Sequence, residues 1–282
     1  MTAVLHASRG RRLLDVAPDE VTGSLARAGA LLLRGFAFED ADFSTLTRRF
    51  SDTFFTHGKR KVMLDEQTIE VVPGNQRVAP HQELGYMPFR PDYLWLLCRT
   101  PAREGGRTQV LPADRLFAEL TPSTQRLFET TEIVYLHRWH EAMWQGYWPH
   151  LDLEAVQTDL RGRDGVTVHA DSEPTALRFD YRTSALRRGP GGEPLFLNSI
   201  LNMLDVMRKG DATAVVALAS GRPVPPEVIE ELEAVAARVS VPVEWEPRDV
   251  LVVDNHRSLH AREMFSGPRD VLVRIGARAD WR

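Results

Sequence analysis

Residues 80 to 120 read PHQELGYMPFRPDYLWLLCRTPAREGGRTQVLPADRLFAEL. Tyr93 to Cys98 is a short apolar run closed by Arg99, Thr100 and Pro101, which predicts a strand buried on both faces. Gly105 and Gly106 then turn the chain, and Thr108 to Leu111 begins the next strand. At the near end His81 and Glu83 stand two residues apart. Alternate residues of a strand share a face, so this spacing predicts an imidazole and a carboxylate reaching one point in space.

Working outward, similar short runs recur at Thr68 to Val72, Ile133 to His137, Pro194 to Asn198, Val241 to Trp245, Val250 to Asp254 and Val271 to Gly276, separated by Gly, Pro and Asp. Many short strands at irregular spacing predict a sandwich or jelly roll. Helices flank them. Pro18 opens one over Asp19 to Ala28 that stops at Gly29, Ala30 to Arg34 follows as a buried strand, and Phe43, Leu46 and Phe50 mark a second helix from Asp40 that should cover the sheet. Thr121-Pro122 and Pro225-Pro226 open two more, the latter with Ile229, Leu232, Val235 and Ala236 on its apolar face. The stretch from Trp139 to Ala176 has aromatics, Gly and charge without a period, which predicts a lid insertion at about 139–176. Its Trp139, Trp144, Tyr147 and Trp148 either close over a substrate or form a satellite hydrophobic cluster. The chain reads as a single domain over 1–282.

The chain has 43% hydrophobic and 26% charged residues, the balance of a globular protein and not of a disordered or membrane one. No apolar run approaches the length of about 18 residues that spans a bilayer. Met1 to Arg12 is not followed by an apolar segment, so no signal peptide is expected. Cys98 is the single cysteine, inside an apolar run, which predicts a buried thiol in a reducing, cytoplasmic setting. Lysine occurs only at 59, 61 and 209, and the arginines are interleaved with acids at a net charge of −4. That pattern gives no field for nucleic acid or an anionic membrane, and HGKRK at 57 to 61 is too short to alter it.

Two ligands from one segment leave a metal site incomplete. A second imidazole is offered by His256 or His260 in DNHRSLH at 254 to 260, and spacing alone does not choose between them. Two histidines and a carboxylate on one face of an octahedron are the ligands of non-haem iron(II) oxygenases. A zinc hydrolase would use the same set. Arg274 lies inside the apolar run Val271 to Ile275, and a strand arginine there needs an anion, either an internal Asp or Glu or the far carboxylate of a bound 2-oxoglutarate. Arg262 and Arg269 read as solvent-facing.

The segment from Pro80 to Leu120, with His81, Glu83, Cys98, Pro101, Gly105, Gly106 and Thr108, resembles the signature of the taurine dioxygenase superfamily. More narrowly it is similar to the clavaminate synthase-like and syringomycin-hydroxylase-like bacterial branch. Asp254-Asn255, His260, Arg262, Phe265, Gly267 and Arg269 resemble the distal motif, and Arg34-Gly35-Phe36, Gly192-Glu193-Pro194 with Asn198, and the helix after Pro225 extend the likeness over nearly the whole chain. The resemblance implies a mainly β fold with flanking helices and a double-stranded β-helix (jelly roll, cupin-like) core. It also implies Fe(II) held by His81, Glu83 and His260, with 2-oxoglutarate and O2 as co-substrates. The family places its 2-oxoglutarate arginine fourteen or fifteen residues beyond the distal histidine, which selects His260 and implies that Arg274, with Thr108, holds the co-substrate. Arg248 stands where the family has glycine, a departure confined to a turn. Halogenating relatives lack the carboxylate, so Glu83 argues against halogenation. The branch implies oxidation of an unactivated C–H bond in an amino-acid-like substrate, free or on a carrier protein, in secondary metabolism. Hydroxylation is the leading outcome, with desaturation or ring closure such as cyclopropane formation as alternatives. Tyr86 and Asn198 are candidate substrate contacts. A non-catalytic jelly-roll binding module is the remaining alternative.

Overall fold

The computed structural model describes residues 2–56, 61–210 and 213–278; most of the basic run at 57 to 61 lies outside them. The chain divides into two compact units, Met1–Val78 with Arg90–Pro112 and Ser240–Arg282, and Ala79–Phe89 with Ala113–Val239.

The first unit is built on a sheet in the order Ala3–His6, Ala30–Arg34, Val250–Asp254, Tyr93–Thr100, Asp270–Ala277, Thr53–Phe55. Ala3–His6 runs parallel to Ala30–Arg34, and the other pairs are antiparallel. Its strands are apolar on both faces because both faces are covered. One face carries Leu31, Leu33, Trp95, Leu97, Val250, Val252 and Leu272, packed against Val21 and Leu25 of the helix Pro18–Ala28 and Phe43 and Leu46 of the helix Asp40–Thr47. The other carries Leu94, Leu96, Cys98, Leu251, Val253, Val271, Val273 and Ile275. It packs with Val110 and Val243 of a second sheet, whose strands Val241–Val243, Thr108–Pro112 and Ser258–Arg262 lie side by side. Sequence-distant strands paired in one sheet and facing a second sheet make the jelly-roll core that the strand pattern predicts.

The strand Ala30–Arg34 and the helix start at Pro18 fall where the sequence places them. Thr68 to Val72 and Val241 to Trp245 shorten to Ile69–Glu70 and Val241–Val243. Gly29 ends the first helix at φ 70°, donating its N–H to Leu25 O at 2.8 Å, and a Cβ there would run into Ser258 Oγ. A left-handed non-glycine residue costs about 1–2 kcal/mol before any clash is counted. Gly29→Ala is therefore expected to lower unfolding free energy in urea by at least about 1 kcal/mol; an unchanged midpoint would refute this account of the helix stop.

In the second unit, Ile133–Trp139 is central, antiparallel to both Leu177–Thr183 and Ala214–Leu218, and Val166–His169 extends the sheet beyond Leu177–Thr183. Helix Pro122–Thr130 starts at the Thr121 cap, and Pro226–Val239 buries Val228, Leu232, Val235, Ala236 and Val239. The stretch predicted as an aperiodic insertion holds helices Glu141–Trp144 and Leu153–Arg161 as well as the strand Val166–His169.

Candidate active site

His81 is the last residue of the strand Val78–His81, and Glu83 lies beyond it in a turn. The alternation argument for this pair therefore needs correcting: the strand stops before the carboxylate, and a turn containing Leu84 at φ 55° brings it round. The pair meets all the same, with His81 Nε2 and Glu83 Oε2 3.8 Å apart and both residues buried. His81 Nδ1 lies 2.9 Å from Ala79 O. A carbonyl only accepts, so Nδ1 donates and Nε2 keeps the lone pair a metal requires.

The turn is tied down from both sides. Gln82 N donates to Asn198 O and Ser199 Oγ donates to Gln82 O, each at 2.9 Å. Ser199 N in turn donates to the Tyr135 hydroxyl. Asn198, expected as a substrate contact, is corrected here: its Nδ2 donates to Ala185 O and its Oδ1 accepts from Ile200 N, so the buried amide serves the fold around the ligand turn.

Tyr86 is half-buried, with its hydroxyl 2.8 Å from that of Tyr147, and its carbonyl lies 3.0 Å from His137 Nε2. Burial pushes the His137 imidazole down to about 4, so it is neutral at physiological pH. It stacks on Phe179 at 4.3 Å, while Trp139 stacks on Tyr147 at 4.8 Å. Reading single residues missed His137; the inward alternation Ile133, Tyr135, His137, Trp139 was the signal that could have found it.

In the first unit, His260 lies mid-strand in Ser258–Arg262, paired in register with Val110, and Arg262 pairs with Thr108. Alternation puts His260, Arg262, Thr108 and Val110 on one face. His260 is buried, whereas His256 is an exposed partner of Asp92 at 3.0 Å, which separates the two candidates. Thr108 is buried, and its Oγ1 accepts from Trp245 Nε1 at 3.3 Å. Arg262 and Arg269, expected to face solvent, do not. Arg262 is buried and donates to Val72 O, Gly74 O and Gln76 O at 2.7–2.9 Å, while Arg269 is half-buried with Nε donating to Gly106 O at 3.1 Å.

Arg274 requires the largest correction. It is 0% exposed, but its Nη1 lies 2.6 and 2.7 Å from the two Asp65 carboxylate oxygens and also donates to Thr68 Oγ1. Nη2 donates to Gln67 Oε1, and the guanidinium lies 4.2 Å from the Phe54 ring centroid. Its register partner is Trp95, on the helix-covered face of the sheet. The anion expected from a bound co-substrate is supplied by the protein.

One ligand atom from each of His81, Glu83 and His260 lies within 4.8 Å of the others, and all three residues are buried. Two imidazoles and one carboxylate are a donor set suited to ferrous iron.

Residues 8–275 match the family described as Taurine catabolism dioxygenase TauD, TfdA family. The dapdiamide synthesis protein DdaC of Enterobacter agglomerans is 25% identical over 287 aligned residues, covering 91% of this chain and 84% of its own. The crystal structure of PvcB from Pseudomonas aeruginosa superposes with a TM-score of 0.58 at 19% identity, covering 98% of this chain and 86% of that one. AAD-2, solved in complex with Mn(II) and N-oxalylglycine, gives a TM-score of 0.61 at 16% identity over 98% of this chain and 94% of its own. The fold is theirs, and the match over nearly the full length shows that this chain belongs to the TauD, TfdA dioxygenase family and is an iron(II)- and 2-oxoglutarate-dependent oxygenase.

Proposed function

We propose that His81, Glu83 and His260 hold the ferrous ion of an oxygenase that hydroxylates an unactivated C–H bond in an amino-acid-like substrate, free or carried as an aminoacyl group on a carrier protein. The carrying observation is the gathering of the three buried ligand atoms within 4.8 Å. When bound, the iron with 2-oxoglutarate and oxygen supplies the oxidant that takes a hydrogen atom from carbon, with succinate and carbon dioxide released.

The chain's own residues position and shield. The Ala79 carbonyl fixes the His81 ring, and the hydrogen bonds that Gln82 donates to Asn198 O and accepts from Ser199 Oγ hold the turn that presents Glu83. The Thr108 hydroxyl, accepting from Trp245, keeps its own proton to donate to the co-substrate. Tyr86 faces the substrate. Its contact with Tyr147, inside residues 139–176, supports a lid role for that stretch. The names of the relatives support a biosynthetic substrate: DdaC is a dapdiamide synthesis protein, and PvcB is described as an oxygenase from an isonitrile synthetic pathway. The family match over 8–275 supports one oxygenase domain. No helix among the described residues is long and apolar enough to cross a membrane. Burial pushes the Cys98 thiol up to about 12, which suits an inert thiol in the cytoplasm.

Anaerobic titration with Fe(II) and then 2-oxoglutarate is expected to raise a weak visible charge-transfer band. Aerobic incubation with a panel of amino acids should give succinate coupled to a product carrying one added oxygen atom. A product short of two hydrogens would shift the outcome to desaturation or ring closure. Absence of the band from iron-loaded protein would remove the reading.

A further inference from the structure

We propose that His137 is a positioning residue for the metal centre: by gripping the Tyr86 carbonyl it closes the far end of the turn that carries Glu83, and so sets where that carboxylate meets the ion. The inference rests on the ligand reading above. The turn runs from Gln82 to Tyr86, and one strand braces both of its ends. At the near end the Tyr135 hydroxyl accepts from Ser199 N, and Ser199 Oγ donates to Gln82 O at 2.9 Å. At the far end His137, the next inward residue of the strand Ile133–Trp139, has Nε2 3.0 Å from Tyr86 O. Inward side chains of a strand repeat about every 7 Å, so the strand fixes the separation of the two braces. Between them Leu84 stands at φ 55°, and a Cβ on Gly85 would come within 2.7 Å of Ser199 Oγ and 2.9 Å of Gln82 Cβ. A turn with a leucine in the left-handed region persists only where its surroundings hold it on all sides.

Packing alone does not call for an imidazole at this position. The ring is buried, in register with Phe179 and stacked on it at 4.3 Å, with Trp139 edge-on at 5.1 Å. A phenyl ring would fill those surroundings as well. Burial keeps the imidazole neutral. Because a carbonyl only accepts, the ring proton is on Nε2, and Nδ1 is left as a buried acceptor with no protein partner among the described residues. An orphaned buried acceptor costs at least as much as one neutral hydrogen bond returns, so the imidazole adds nothing to the stability of this core. What it has and a phenyl ring lacks is the donor to Tyr86 O.

The test is calorimetric titration of the full chain, stripped of metal, with Mn(II). His137→Phe keeps the stack on Phe179 and removes the donor, His137→Leu removes both, and His137→Gln returns an amide N–H to the neighbourhood of Nε2. Groups that orient metal ligands from behind change affinity by about 10- to 100-fold, and this brace reaches Glu83 only through the backbone, so His137→Phe and His137→Leu are each expected to weaken Mn(II) by about 10-fold. His137→Gln should recover part of that loss. The metal-free His137→Phe protein should melt no lower than wild type, a result that a purely structural histidine would not give. Tyr86→Phe, which loses the phenol but keeps the carbonyl, should bind Mn(II) like wild type. Wild-type Mn(II) affinity in a folded donor-free variant would overturn the assignment, and so would equal losses in His137→Leu and His137→Gln, which would trace the effect to packing. Either result leaves the oxygenase reading intact. Failure of wild type itself to bind Mn(II) would overturn both.

Discussion

Alanine at His81, Glu83 or His260 is expected to abolish succinate formation while leaving the fold intact. Each side chain supplies one of three donors, and a cation held by two of them loses affinity and geometry together. A metal contributes several kcal/mol of stabilisation to the reacting centre, so turnover at limiting iron should fall on the order of 10³-fold. Of the three, Glu83→Ala is the most informative, because it leaves both imidazoles in place and removes the only anion of the set. Far-UV circular dichroism and melting should match wild type, since the ligands lie at a strand end, in a turn and on one short strand. An iron-loaded Glu83→Ala protein with wild-type succinate yield would exclude this carboxylate as a ligand.

Asp65→Asn is expected to be among the most damaging single changes to stability. It leaves the guanidinium of Arg274, 0% exposed, without a counter-charge. Removing one partner of a buried ion pair costs about 3–5 kcal/mol, and the partial exposure of Asp65 places this case near the lower figure. The pH dependence follows from the same contacts. Burial acts to raise the Asp65 carboxyl, but hydrogen bonds from Ser44 and Thr68, the charge of Arg274 and the Gln67 N–H outweigh it and hold the group far below the usual carboxylate range. A carboxyl depressed in the folded state contributes fully above its unfolded value of about 4 and loses that contribution as pH falls towards the folded value. Urea midpoints of wild type should therefore drop more steeply below pH 4 than those of Asp65→Asn. Equal midpoints for the two proteins at pH 7 would mean that Arg274 is not locked as described.

Much of the scaffold was legible because its signals are local. Pro18 and Gly29 bracket a helix, Thr121 caps another, and the apolar runs at Ala30 to Arg34 and Val250 to Asp254 are strands at those bounds. The ligand trio was legible in identity but not in mechanism. His81 and Glu83 meet through a turn, and a leucine at positive φ carries no sequence mark. Arg274 was misread for two reasons that no local pattern reveals. Its face depends on a register irregularity at Asp270, and its acid partner, Asp65, lies in a separate stretch of chain with no strand pattern of its own. Arg269 was set aside as a surface residue because burial of a loop arginine depends on Gly106 and Phe265, which only the folded chain brings beneath it.

The neighbouring places of Ala30–Arg34 and Val250–Asp254 also bear on biosynthesis. Arg34 and Asp249 are 215 residues apart, yet they join side by side. During translation the early strand must wait, with one edge and much of its apolar surface unsatisfied, until Val250–Asp254 has left the ribosome. Chains released prematurely, before about residue 250, would expose that edge permanently, and nascent molecules should depend on chaperones more than a protein of local topology would.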